Sequence, residues 1–135
     1  MTPCKCCYGN LKHADHWLRQ NRDLRQQVNT MLAEEGLAWQ EGVLIRHLLT
    51  VLDEEIGAEN LRDRIELPLT NLRVAAHYGC HALRPANITG FDNPLTPTIF
   101  ERLIEATGAS IADWPLRLDC CGHPLWKKTI DLPWR

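Results

Sequence analysis

A chain of 135 residues is long enough to bury about two-thirds of its unfolded surface and implies one folded domain. Fifteen basic against seventeen acidic residues give a net charge of −2, with no basic stripe or acidic tail, which argues against a nucleic-acid partner. The most apolar run, from Val43 to Leu52, is interrupted by Arg46 and His47 and is far short of the roughly 20 residues a membrane span needs.

The opening Met1-Thr2-Pro3-Cys4 has neither a basic head nor an apolar core, so no secretory signal is expected and the protein is expected to be cytoplasmic. From Gly9 to Glu35 the spacing predicts helix: Leu11, Ala14, Trp17 and Leu18 recur on one face, then Leu24, Val28, Met31 and Leu32. Asn21 is a suitable N-cap between the two stretches and Gly36 a suitable stop. Val43-Leu44-Ile45 reads as a short strand, followed by helices from His47 to Ile56 and from Ala58 to Ile65, the second ended by Pro68.

Leu72 to Tyr78 is a largely apolar run that reads as a buried parallel strand ending at Gly79-Cys80. A loop rich in Pro, Asn, Gly and Asp spans Arg84 to Pro97, with an Asx turn expected at Asp92. Thr98 to Thr107 reads as helix with Gly108 at its C-cap, and Ser110 to Trp114 as a second strand leading to Asp119-Cys120-Cys121-Gly122. The order predicts an α/β fold, a small parallel sheet with flanking helices preceded by an N-terminal helical segment. Residues 1–70 form the mostly helical part.

Six cysteines stand at positions 4, 6, 7, 80, 120 and 121. Disulfide frameworks belong to secreted chains, so metal or redox chemistry is the better reading here. Cys80 and the Cys120-Cys121 pair each follow an expected strand, and sites gather beyond the carboxyl ends of parallel strands. Adjacent cysteines point in different directions, which suits different irons of one cluster better than a single ion. Cys4-Lys5-Cys6-Cys7 adds a C-x-x-C, a spacing shared by zinc knuckles and redox pairs, in which Lys5 is placed to favour the thiolates.

Thr2-Pro3-Cys4-Lys5-Cys6-Cys7-Tyr8, Tyr78-Gly79-Cys80-His81 with Arg84-Pro85, Gly90-Phe91-Asp92-Asn93-Pro94 and Asp119-Cys120-Cys121-Gly122 together resemble the B-type subunits of heterodisulfide reductase. That family repeats twice a cysteine, a long spacer, Cys-Cys-Gly, another spacer and C-x-x-C. The resemblance implies that Cys80, Cys120 and Cys121 ligate one noncubane [4Fe–4S] cluster and that Cys4 and Cys7 belong to a second. It makes residues 71–135 an incomplete cysteine-rich CCG domain. It further implies an oxidoreductase component that splits a disulfide substrate or relays electrons. The electrons would come from the C-type iron–sulfur subunit of heterodisulfide reductase and, through it, from the A-type flavin subunit.

By the same pattern the opening of the first motif and the closing C-x-x-C of the second are missing, so this chain is expected to be a fragment, inactive alone and without a complete cluster. Exposed apolar surface would then favour a homodimer. Zinc held by four thiolates, in a structural or interaction module, is the alternative, as is an iron–sulfur subunit of a related hydroxy-acid or quinone-linked oxidoreductase. A thiol–disulfide exchanger at Cys4 and Cys7 is a third reading. His47 and the five tryptophans are read as structural, packing residues; His77 and His81 as a strand-packing residue and a loop hydrogen-bonder, with protonation of a thiolate product the alternative; Arg84 as either a charge partner or a loop cation; and His123 as a nitrogen ligand or a surface residue.

Overall fold

The computed structural model describes residues 1–122, so the expectations for His123, Trp126 and Trp134 lie outside the described residues. Helix α1 spans Lys5–Gln20 and begins four residues before the expected Gly9. Cys4 is its N-cap: Sγ accepts the Cys7 backbone N–H at 3.4 Å, and the Cys4 N–H donates to Thr2 Oγ1. The C-x-x-C is therefore wound into the first turn of a helix. Asn21 then caps α2, Arg22–Ala33, by accepting the Leu24 N–H at 2.9 Å, as the sequence predicts.

Val43-Leu44-Ile45 is not a strand. Val43 and Leu44 are exposed, and among the described residues the pairing nearby is a parallel bridge between Thr2 and His47. Upstream, the α2 side chain Asn29 occupies both backbone groups of Trp39, accepting its N–H at 2.7 Å and donating to its carbonyl at 3.4 Å. Helix α3, Leu48–Val51, runs into a wider π turn over Leu52–Ile56, and α4 is Ala58–Arg62. The expected 84–97 loop contains one further helical turn, α5, Ala86–Thr89. Asp92 does more than turn the chain: Oδ2 accepts the Thr98 and Ile99 N–H groups, both at 2.8 Å, and so holds the start of α6, Ile99–Ala106. The Asx turn belongs rather to Asn93, whose Oδ1 accepts from Leu95 and Thr96.

Strands β1, Arg73–Val74, and β2, Ser110–Ile111, form a two-stranded parallel sheet, so the fold is α/β with far shorter strands than the apolar runs suggest. The reason lies in Trp114 and Pro115. Ser110 and Ala112 donate to the carbonyls of Leu72 and Val74, and the next donor in that series is not backbone but the Trp114 indole, at 2.7 Å from the Ala76 carbonyl. Pro115 then turns the second segment, and contact resumes where Tyr78 N–H donates to Arg117 O at 3.0 Å. The two segments thus stay side by side past the sheet, the second through a turn at 115–119, as far as the cysteines.

The core is Tyr8, Ala76, Tyr78, Ala82, Leu83, Phe91, Ile99 and Leu103. It joins the first turn of α1 to the segment around Cys80 and to α6. Tyr8 hydroxyl donates to Thr89 O at 2.5 Å, and Gly9 meets the His81 carbonyl so closely that a Cβ would stand 2.8 Å from its oxygen. Only glycine fits that approach.

A candidate two-thiol ligand edge

Cys80 and Cys120 meet. Their sulfurs lie 3.7 Å apart across a separation of 40 positions. The paired segments explain this: the offset is 38 between Ala76 and Trp114 and 40 between the cysteines, and the Pro115–Asp119 turn absorbs the difference. Two thiolates on one tetrahedral ion at a metal–sulfur distance of about 2.3 Å stand roughly 3.7–3.8 Å apart, whereas a disulfide needs about 2.05 Å. The spacing is the contact distance of two thiols and is also compatible with two ligands on one ion.

Cys80 is half-buried and Cys120 exposed. Burial pushes the Cys80 thiol up, and the hydrogen bond to Cys120 adds to the shift, with the charges of Cys120 and Cys121 acting in the same direction. Cys121 is exposed and is followed by Gly122 at φ +74°. Among the described residues, no group of three or more His, Cys, Asp or Glu side chains is gathered at metal-binding range. Of the three sulfurs expected to converge, the structure thus brings together Cys80 and Cys120.

Cys4, Cys6 and Cys7 are all exposed on the first turn of α1. The Cys7 N–H lowers the Cys4 thiol pKa, and the thiol of Cys7 is correspondingly raised, first by its hydrogen bond with Cys4 and then by its charge. Lys5, expected beside these thiols, instead turns toward the other motif: Nζ donates to the carbonyls of His77 at 3.1 Å and Tyr78 at 2.9 Å.

Around Cys80, His77 packs its ring against Trp114, with centroids 5.7 Å apart, in keeping with a packing role. His81 and Arg84 are exposed, and the Arg84 N–H donates to the Cys80 carbonyl. Tyr78 is fully buried, and its hydroxyl donates to Glu101, which also takes Arg117 Nη1 at 2.6 Å. Trp114 does not stand out in the sequence as a site-building residue, and Lys5 stands out for a different task, because each acts through a backbone carbonyl that has no signature of its own.

Residues 74–129 match the family described as the CCG cysteine-rich domain. Across 122 residues the chain is 36% identical to the B subunit of the Ferredoxin:CoB-CoM heterodisulfide reductase of Methanosarcina mazei, covering 90% of this chain and 40% of that protein. It is 37% identical over 122 residues to the 8-methylmenaquinol:fumarate reductase membrane anchor subunit of Wolinella succinogenes, covering 90% and 42%. A protein of Archaeoglobus profundus that is itself described as like the B subunit of heterodisulfide reductase is 33% identical over 131 residues, covering 96% and 44%. The chain therefore spans about two-fifths of the length of the curated relatives it matches. No helix among the described residues is long and apolar enough to cross a membrane.

Proposed function

We propose that the chain, whose residues 74–129 match the CCG cysteine-rich domain, is the iron–sulfur-binding part of a heterodisulfide-reductase-like subunit, with Cys80, Cys120 and Cys121 as ligands of one noncubane [4Fe–4S] cluster and Cys4 and Cys7 as ligands of a second. The observation that carries this reading is the 3.7 Å edge between Cys80 and Cys120. Such a cluster, when bound, supplies one-electron steps that neither a zinc ion nor the protein's own side chains supply.

The chain's own contribution is to bring thiols from distant parts of the sequence to one place and to hold them as acceptors of iron. Cys80 is kept protonated by burial, so metal uptake there releases a proton. Cys120 and Cys121, exposed beside it, leave one side open for the remaining ligands and for a redox partner. On this reading the partners are the C-type iron–sulfur subunit of heterodisulfide reductase and, behind it, the A-type flavin subunit; the substrate is a disulfide and the compartment the cytoplasm. The match to the Wolinella protein favours a second reading, a quinol-linked reductase built on the same cluster-binding domain.

The test is metal analysis of the native protein purified with oxygen excluded. Iron and acid-labile sulfide present together, with a paramagnetic cluster signal on oxidation, are expected. Stoichiometric zinc without sulfide overturns the proposal in favour of a structural zinc module.

A further inference from the structure

Lys5 carries a charge that neither thiol group explains. Its side chain is half-buried, with the ammonium about 6.0 Å from the Phe100 ring centroid, and among the described residues it is spent on two successive carbonyls, His77 and Tyr78, rather than on a carboxylate or thiol. Successive carbonyls of an extended chain point to opposite sides. Here two of them converge on one cation immediately before Gly79, whose φ of +68° suits glycine and bends the chain on toward Cys80; a Cβ at Gly79 would be in ordinary contact with Nζ, at 3.5 Å. Cys80 follows immediately. Lys5 itself lies between Cys4 and Cys6, on the helix turn that Tyr8 and Gly9 press against Thr89 and His81.

We propose that Lys5 is a positioning residue: its ammonium, shared between the carbonyls of His77 and Tyr78, fixes the bend that aims Cys80 at Cys120 and ties that ligand edge to the helix turn bearing Cys4 and Cys7. Without the cation, two part-buried carbonyls turned to one point face each other unpaired, and the bend relaxes. The Cys80 sulfur then drifts from Cys120 while the rest of the core, held by Tyr78, Phe91 and Leu103, stays in place. The inference rests on Cys80 and Cys120 forming one ligand edge, but it concerns sulfur placement and needs no cluster.

The experiment equilibrates the reduced chain in a glutathione/glutathione-disulfide buffer with oxygen excluded, then alkylates and measures peptides by mass spectrometry. One cysteine thiolate attacks glutathione disulfide and releases a glutathione thiolate. The second cysteine thiolate displaces the other glutathione, so that one S–S bond forms at the expense of another. The ratio of the Cys80–Cys120 disulfide to the same cysteines carrying glutathione reads how well the two sulfurs are placed. Lys5→Met is expected to lower that ratio about tenfold, the scale of losing hydrogen bonds from a charged donor, and Lys5→Arg to recover most of it. Tyr8→Phe, which loosens the same helix turn at Thr89, is expected to leave the ratio within about twofold while lowering the melting temperature.

An unchanged ratio in folded Lys5→Met, or an equal fall in Tyr8→Phe, overturns the proposal. Should Lys5→Met fail to fold by far-ultraviolet circular dichroism, Lys5→Gln, with one donor group on a shorter stem, takes its place: a fall supports the role and no fall overturns it. A protein that takes up no iron yet responds in this way keeps the positioning role and loses the cluster reading.

Discussion

The indole N–H of Trp114 donates to the carbonyl of Ala76 at 2.7 Å, standing where the next backbone donor of a parallel ladder would be. This side-chain rung carries the pairing of two chain segments past the end of a sheet only two residues deep. Trp114→Phe keeps a ring against His77 but leaves that carbonyl without its donor, at a cost of about 1–3 kcal/mol. Urea denaturation should show the loss as a lower midpoint with an unchanged slope. A variant as stable as the parent would mean that the rung contributes nothing.

The Cys80–Cys120 edge predicts a particular non-additivity in metal binding. One thiolate alone is a poor site, so Cys80→Ser and Cys120→Ser should each weaken cobalt(II) binding by about tenfold or more, and the double substitution should do little further harm. The measurement is the near-ultraviolet sulfur-to-cobalt charge-transfer band of reduced protein in which Cys4, Cys6 and Cys7 are replaced by serine. Independent, additive losses would indicate two unrelated thiols.

The sequence marks the amphipathic helices, the Asn21 cap and the parallel order of the two strands because each depends on local periodicity or on a capping residue. It marks Cys80 and Cys120, whose sulfurs meet, because each lies beyond an apolar run. What it conceals is of another kind. Leu72 to Tyr78 looks like one long strand, yet ladder pairing ends at Val74 because Trp114 and Pro115, forty residues on, decide how far the partner can follow. Val43 to Ile45 looks like a strand, but among the described residues it pairs with none, and Val43 and Leu44 stay exposed. Lys5 looks like a thiolate's counter-charge, and only the fold brings the His77 and Tyr78 carbonyls within its reach.

Cys4 and Cys7 are equally exposed but unequal as acids. The Cys7 N–H favours the Cys4 thiolate, whereas the hydrogen bond to Cys4 and its negative charge hold Cys7 protonated. At neutral pH, iodoacetamide should therefore label Cys4 first, and the gap should close as the pH rises far enough to ionise Cys7. Because a more acidic thiolate is also a weaker nucleophile, the expected rate ratio is only about three- to fivefold. Peptide mass spectrometry at graded pH reads it directly. Equal rates throughout would remove the N-cap sulfur from any special role.

His47 sets a pH limit on the fold. It is 1% exposed, sits edge-on between Tyr8 and Phe91, and caps α3 by accepting the Leu49 N–H on Nδ1 at 3.1 Å. Burial lowers its pKa, the nearby Lys5 cation lowers it further, and the Pro3 carbonyl offsets part of the shift. A folded-state pKa below the unfolded value of about 6.5 means that the unfolded chain binds the proton more readily. The stability this group contributes is thus complete above about pH 6.5 and is lost as the pH falls toward the folded-state value, at up to about 1.4 kcal/mol per pH unit. Unfolding of the N-terminal clamp should follow, since Thr2 and His47 are bridged and the Leu48 N–H donates to Thr2 O. His47→Asn retains an acceptor at the cap but carries no proton, so its urea midpoint should vary less than the parent's between pH 7.5 and 5.5. Parallel pH dependence in the two proteins would assign the acid sensitivity to other groups.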